Sequence, residues 1–350
     1  MKKLLASTFA ALLSTQVVAE PARTYAELFS HPSSILDENR QYSVHLPSSY
    51  DQNPHQKYPV LYLLDGENRM LQVTGIVDSF QGGLSPNVPE MIVVGIHNTN
   101  RMRDYTPTHS LTLPNGEAGP GYSDTGGGRR FFQYLTQELM PLINHQYRTA
   151  KPNILVGHSL GGLMTLDAIR HRNKEFQAYI SIDPSLWFDY PNYYGELEKS
   201  FENAFKTPVS LYLAMANNPF TPGIGRSNFH RDHLLNFAEK IAPETTEDNL
   251  HFKSHYFENE DHHSVYHLAV YNGLMWLFDG YDLDITPGAF SFERVSDSYH
   301  ELNTRLNSEL KPDRDYLKRL EKKATRWPNM EIPAQEVTKI EAYFYPDTKL

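Results

Sequence analysis

The chain's 350 residues, 40% hydrophobic and 21% charged, suffice for one large core or about two domains and exclude wholesale disorder and low-complexity architecture. Its 32 Lys and Arg against 42 Asp and Glu give a formal charge of −10, which disfavours nucleic acid as a partner. The absence of cysteine excludes disulfides, thiolate zinc sites and cysteine nucleophiles, leaving Ser, Thr, Lys, Asp or Glu to attack a substrate.

The chain opens with Lys2-Lys3, a largely apolar stretch from Leu4 to Leu13, and Val17-Val18-Ala19. This is the layout of a secretory signal peptide cleaved after Ala19. Ser7 and Thr8 interrupt the apolar run, which is shorter than the ~20 residues of a membrane span. Loss of residues 1–19 leaves 30 basic against 42 acidic residues, a charge of −12. No cysteine is available for lipid attachment and no other run approaches spanning length. The expectation is a periplasmic or secreted protein without a membrane anchor.

Arg40 to Pro47 alternates like a half-buried strand. Apolar runs follow at Tyr58–Leu64, Glu90–Ile96, Pro152–Gly157, Tyr179–Ile182 and Val209–Met215, the pattern of strands buried on both faces, and a further run spans Phe252–Phe257. A helical pattern (Phe131, Tyr134, Leu135, Leu139, Leu142, Ile143) separates two of them. Strands alternating with helices predict an α/β fold, a mainly parallel sheet with helices on both faces. Residues 105–128, rich in Pro, Gly and Thr, predict a long loop. Beyond about residue 281, Val295, Tyr299, Leu302 and Leu306, then Tyr316, Leu317 and Leu320, are helically spaced. Residues 281–350 thus predict a C-terminal helical extension of no legible role.

The most informative segment is Gly157-His158-Ser159-Leu160-Gly161-Gly162, a G-x-S-x-G between a buried-strand pattern and a helical one. A strand turning sharply into a helix projects a serine from the C-terminal edge of a sheet, with Gly157 and Gly161 expected to relieve crowding. The helix N-terminus behind Ser159 supplies positive potential, and the backbone N–H of Leu160 becomes an oxyanion donor. A serine hydroxyl needs a base, and in this fold the chain order is Ser, acid, His. His262 or His263, in the polar loop after the last strand run, is placed for that role. The acid usually follows the penultimate strand, but Val209–Met215 is followed by Ala216-Asn217-Asn218-Pro219 with no carboxylate. Asp232 is the provisional orienting acid, with Asp183 or Asn218 as alternatives.

These residues resemble the bacterial esterase family of α/β-hydrolases that includes esterase D, the ferric-enterobactin and bacillibactin esterases and the mycobacterial mycolyltransferases. The resemblance covers roughly residues 35–280, taken as the hydrolase domain. It rests on Tyr58-Pro59-Val60-Leu61-Tyr62-Leu63-Leu64-Asp65-Gly66, on Val93 to Ile96 with Arg101 to Pro107, on the Ser159 elbow, on Asp183-Pro184-Ser185-Leu186-Trp187 and on His262-His263-Ser264-Val265. It implies an α/β-hydrolase fold, favours His262 as the base, and assigns the second oxyanion donor to the backbone N–H of Glu67. Asn217-Asn218 depart from the family pattern where many relatives carry an acid.

Two weaker signals compete. His230-x-x-His233 and Asp261-His262-His263 have metal-ligating residue types, but no H-E-x-x-H pattern accompanies them and the elbow chemistry needs no metal or cofactor. Arg101, Arg103, Arg129, Arg130 and Arg226 lie in predicted loops and could steer an anionic substrate. The sequence therefore predicts an exported serine carboxylic-ester hydrolase acting on a small-molecule ester, siderophore-type or aryl. An acyltransferase using the same residues, or a non-catalytic binding protein on this fold, would share the motif.

Overall fold

The computed structural model describes residues 25–81, 86–242, 249–286, 288–326 and 333–346. The predicted signal peptide, residues 1–19, lies outside them. In chain order the strands are β1 (Glu27–Ser33), β2 (Glu38–His45), β3 (Tyr58–Leu63), β4 (Ile92–Ile96), β5 (Thr149–His158), β6 (Ala178–Ile182), β7 (Val209–Ala216), a two-residue hairpin of β8 (Phe220–Thr221) and β9 (Gly225–Arg226), and β10 (Leu250–Phe257). Eight of them form one sheet in the order β1-β2-β4-β3-β5-β6-β7-β10. The β1–β2 and β2–β4 pairs are antiparallel; every other pair is parallel.

The apolar runs form strands because both faces of the sheet are covered. All six residues of β3 are buried, and successive side chains feed opposite cores: Tyr58, Val60 and Tyr62 one, Leu61 and Leu63 the other. This is the two-residue period of a strand applied to a doubly covered sheet. The helices are α1 (Gly66–Gln81), α2 (Arg101–Asp104), α3 (Gly128–Tyr134), α4 (Met140–Gln146), α5 (Leu160–Arg170), α6 (Asn192–Phe201), α7 (Phe229–Ile241), α8 (Val265–Leu277), α9 (Phe292–Leu306), α10 (Arg314–Arg326) and α11 (Ala334–Phe344). Helices α3 to α7 pack on the first core. Helices α1 and α8 to α11 pack on the second. A π-helical turn, Leu135–Leu139, joins α3 to α4, so the helical pattern around Phe131 is one path with a wider middle turn.

The C-terminal helices complete the second layer. Val295, Tyr299, Leu302, Leu306, Tyr316, Leu317 and Leu320 are all buried in the core that Leu61, Leu63 and Val156 enter from the sheet. The Tyr299 hydroxyl donates to the Tyr281 carbonyl at 2.6 Å, which fastens α9 to the segment after α8. Among the described residues no helix is long and apolar enough to cross a membrane. Strands β3, β5, β6, β7 and β10 run in parallel, so their C-terminal ends open on one edge of the sheet, where open α/β sheets hold ligands.

Candidate active site

Strand β5 ends at His158 and α5 begins at Leu160, leaving Ser159 at the corner with φ 61° and ψ −119°. A side-chain-bearing residue rarely adopts this backbone, and it is characteristic of functional turns. The corner closes only because its neighbours are small. A Cβ on Gly157 would lie 2.2 Å from the Gly161 carbonyl oxygen, and one on Gly162 would lie 2.9 Å from the Ile182 oxygen. The expectation for Gly161 is corrected: a Cβ there meets nothing closer than 3.5 Å, an ordinary contact. Gly162 takes its place because it faces the end of β6. Ser159 is itself tied to that end. Its N–H donates to the Ile182 carbonyl at 3.0 Å, and its carbonyl accepts from the Ser185 N–H at 3.1 Å. The two hydroxyls, Ser159 Oγ and Ser185 Oγ, stand 3.1 Å apart.

Strand β6 delivers Asp183, fully buried with φ 40°. Its Oδ2 meets His262 Nδ1 at 2.6 Å and His230 Nε2 at 3.2 Å, while Oδ1 accepts from the Ala216 N–H at 3.0 Å. Burial alone would push this carboxyl up, but hydrogen bonds from His230 and His262 outweigh it and hold Asp183 well below the usual carboxylate range. An ionised carboxylate only accepts, so the His262 proton sits on Nδ1 and Nε2 carries the lone pair.

Asp232, the provisional orienting acid, does not approach His262. It lies exposed in the first turn of α7, paired with Arg231 at 3.0 Å. Asn218 does not either, its Oδ1 accepting from the Phe220 N–H at 3.3 Å. Strand β7 ends without a carboxylate but still supplies the Ala216 N–H that holds Asp183. His263 is exposed, with its backbone N–H on Asp261 Oδ1 at 2.8 Å.

Nothing in the sequence pattern marks His158 for a role of its own. Its Nε2 lies 2.6 Å from the His262 carbonyl oxygen, so it must donate there, and its ring stands 4.4 Å from the His262 ring. Burial, then the nearby His262, lower its pKa to about 3, with the bond to the His262 carbonyl opposing. It is neutral beside the imidazole it supports.

The turn after β3 is the second corner of the site. Asp65 has φ 58°, and a Cβ on Gly66 would lie 2.4 Å from the Gly95 carbonyl carbon, so only glycine fits as α1 crosses β4. Arg101 grips the Asp65 carboxylate through Nε at 2.7 Å and Nη2 at 3.1 Å, and Nη2 also reaches the His158 carbonyl at 3.2 Å. One guanidinium thus ties the β3 turn to the β5 elbow. Leu160 and Glu67 occupy the first turns of α5 and α1, where backbone N–H groups lack intrahelical acceptors. The Glu67 carboxylate faces Asn98, whose Nδ2 donates to it at 2.7 Å.

Two of the loop arginines are not available to steer an anion. Arg101 is spent on Asp65, and Arg103 pairs with Glu38 and Asp104 at 2.7 Å each. The His230-x-x-His233 spacing does not bring two ligands together, since His233 Nδ1 bonds the Phe229 carbonyl at 2.7 Å. Ligating atoms of Asp183, His230 and His262 do lie within 4.8 Å of one another, but both ring nitrogens are already engaged on one carboxylate oxygen.

Residues 33–268 match the family described as "Putative esterase". The chain is 29% identical over 198 residues to the ferri-bacillibactin esterase BesA of Bacillus subtilis, covering 52% of this chain and 67% of that protein. It is 28% identical over 177 residues to the apo-salmochelin esterase of Escherichia coli O6:H1, covering 48% and 54%. The chain thus spans about half to two thirds of the length of these curated relatives. An IroE-like serine hydrolase from Shewanella oneidensis superposes with a TM-score of 0.86 at 39% identity, covering 91% of this chain and 99% of that one. The enterobactin esterase of Shigella flexneri, at 17% identity and TM-score 0.54 over 71% of this chain and 58% of that one, shares the fold.

Proposed function

From the premise that the chain belongs to the esterase family, we propose that it is an exported hydrolase of siderophore-type esters working through Ser159, His262 and Asp183. The observation that carries the mechanism is the 2.6 Å bond from His262 Nδ1 to the buried Asp183 carboxylate, on the strand beside the one that projects Ser159. Asp183 fixes the tautomer, so Nε2 is the atom able to take the Ser159 proton. Ser159 Oγ attacks the ester carbonyl, and the oxyanion is met by the N–H groups of Leu160 and Glu67. His262 returns the proton to the departing alkoxide; a water molecule then repeats the sequence on the acyl-enzyme. Export rests on the Lys2-to-Ala19 pattern. The substrate class rests on the similarity to the ferri-bacillibactin and apo-salmochelin esterases.

Ser159→Ala should lower hydrolysis of p-nitrophenyl butyrate and of a catecholate trilactone by at least ~10³-fold with an unchanged melting temperature. Retained activity would sink the assignment. Added alcohol acceptors should leave the free acid as the main product; predominant transesterification would instead make the protein an acyltransferase.

A further inference from the structure

Asp183 is unusual in holding two imidazoles on one oxygen, and the mechanism above uses only one. We propose that the second, His230, is a positioning residue that fixes the Asp183 carboxylate for His262, an inference that rests on the triad reading.

His230 is the second residue of α7 and is 1% exposed. Its backbone N–H donates to Thr221 Oγ1 at 3.1 Å, so the β8–β9 hairpin sets the start of the helix and the height of the ring. Its Nε2 meets Asp183 Oδ2 at 3.2 Å, and Nδ1 has no hydrogen-bond partner among the described residues. A carboxylate oxygen cannot donate, so the single proton of a neutral ring resides on Nε2. A buried imidazole with one nitrogen left bare pays a desolvation penalty, and all its remaining hydrogen-bonding capacity is directed at Asp183.

The geometry explains why such a residue is needed. Asp183 follows directly on β6, while His262 comes from the loop after β10, two strands further along the sheet. The carboxylate must therefore reach sideways under the end of β7. Ala216 N–H pins Oδ1 and His230 Nε2–H pins Oδ2, which fixes both torsions of a short side chain from two separate elements. Oδ2 then waits at the position His262 Nδ1 requires, whatever the loop of residues 258–264 is doing. The orienting job, shared in other sites between an acid and its own strand, is divided here among β6, β7 and α7.

His230→Leu removes the donor while keeping an apolar side chain in the core. It should lower kcat by about 10–100-fold, as misplacement of a supporting group does, and leave KM within about twofold because no substrate contact is lost. The far-downfield proton resonance of His262 Nδ1–H should shift or broaden. His230→Gln, whose amide nitrogen can stand near the Nε2 position, should restore most of kcat and that resonance; His230→Asn, one carbon shorter, should not. If the leucine variant does not fold, the glutamine–asparagine contrast measures the same role. In an Asp183→Ala background, His230→Leu should cost nothing more, since the effect travels through the carboxylate. Wild-type kcat in the leucine or asparagine variant, or an undiminished loss in the Asp183→Ala background, would overturn the role. Should Asp183→Ala itself leave kcat intact, the triad reading falls; if it lowers kcat and His230→Leu does not, only the positioning role falls.

Discussion

His158 ties the stability of the fold to pH through one buried side chain. Its pKa is about 3 in the fold against 6.5 for an ordinary histidine, mainly because it is buried. Between those values the unfolded chain binds a proton that the folded chain refuses. Stability from this residue is therefore complete above about pH 6.5 and declines as pH falls toward 3, by up to ~1.4 kcal/mol per unit. His158→Gln keeps a donor for the His262 carbonyl but cannot titrate. Urea midpoints taken from pH 7 to pH 5 should fall more steeply for the wild type than for this variant; parallel curves would refute the assignment. Ser159 was legible because its signal is local: six contiguous residues between a strand and a helix. Asp183 was harder to single out from Asp232, because its bond to His262 is a contact across 79 residues of chain, and nothing in the local pattern says which strand end faces which loop. The missing carboxylate after β7 left Asp232, Asp183 and Asn218 all open, and it is the contact between the end of β6 and the loop after β10 that separates them.

At the scale of elements, the segment from His97 to Asp104 connects β4 to the site and is anchored from β2. Arg40 is fully buried and meets fully buried Asp104 at 2.7 Å, Glu38 at 2.9 Å and the His97 carbonyl at 2.9 Å, with Thr99 also bonded. Arg101 sits within this anchored stretch and grips Asp65. Removing one partner of a buried pair costs about 3–5 kcal/mol. Arg40→Leu should fall at about 3 kcal/mol, since Arg103 still pairs with Asp104. Because Arg101 would lose its footing, kcat should drop at temperatures where the variant remains folded. Denaturant unfolding and rates on the same sample test both expectations. The strands that sequence alone revealed are the buried apolar runs, the mixed run Phe252–Phe257 and the alternating segment Arg40–Pro47. Strand β1, Glu-Leu-Phe-Ser-His-Pro-Ser, escaped because it is an edge strand largely exposed along its length; backbone pairing with β2 makes it a strand, and that leaves little trace in side-chain pattern.

For the whole molecule, the helices after residue 281 change what the sheet can do without them. Tyr299, Leu302, Tyr316, Leu317, Leu320, Val337 and Ile340 are buried in the core that contains residues of β3 and β5. A chain stopped after Gly280 would expose the apolar surface of α8 and the sheet that these helices cover, at roughly 25 cal/mol for each Å² uncovered. Such a truncation should aggregate or melt far below the full chain rather than yield an active esterase core; a soluble, active fragment would show the helices to be dispensable. Helical spacing was readable in this region, but its partner face was not, because periodicity tells which side of a helix is apolar and not what lies opposite.

Asp65, Ser159 and Asp183 all have positive φ, at 58°, 61° and 40°, and they stand within two residues of the ends of three strands that are hydrogen-bonded neighbours, β3, β5 and β6. The sheet therefore works like the fixed jaw of a caliper, graduated at ~4.8 Å per strand. His262 is the sliding jaw, carried on a loop from the edge strand β10. A caliper loses its reading when the slide loosens, long before the beam bends. Catalysis should accordingly disappear at lower urea than the far-ultraviolet circular dichroism of the sheet, since loops open at lower free energy than core strands. Coincident midpoints would mean that the loop is held as rigidly as the sheet itself.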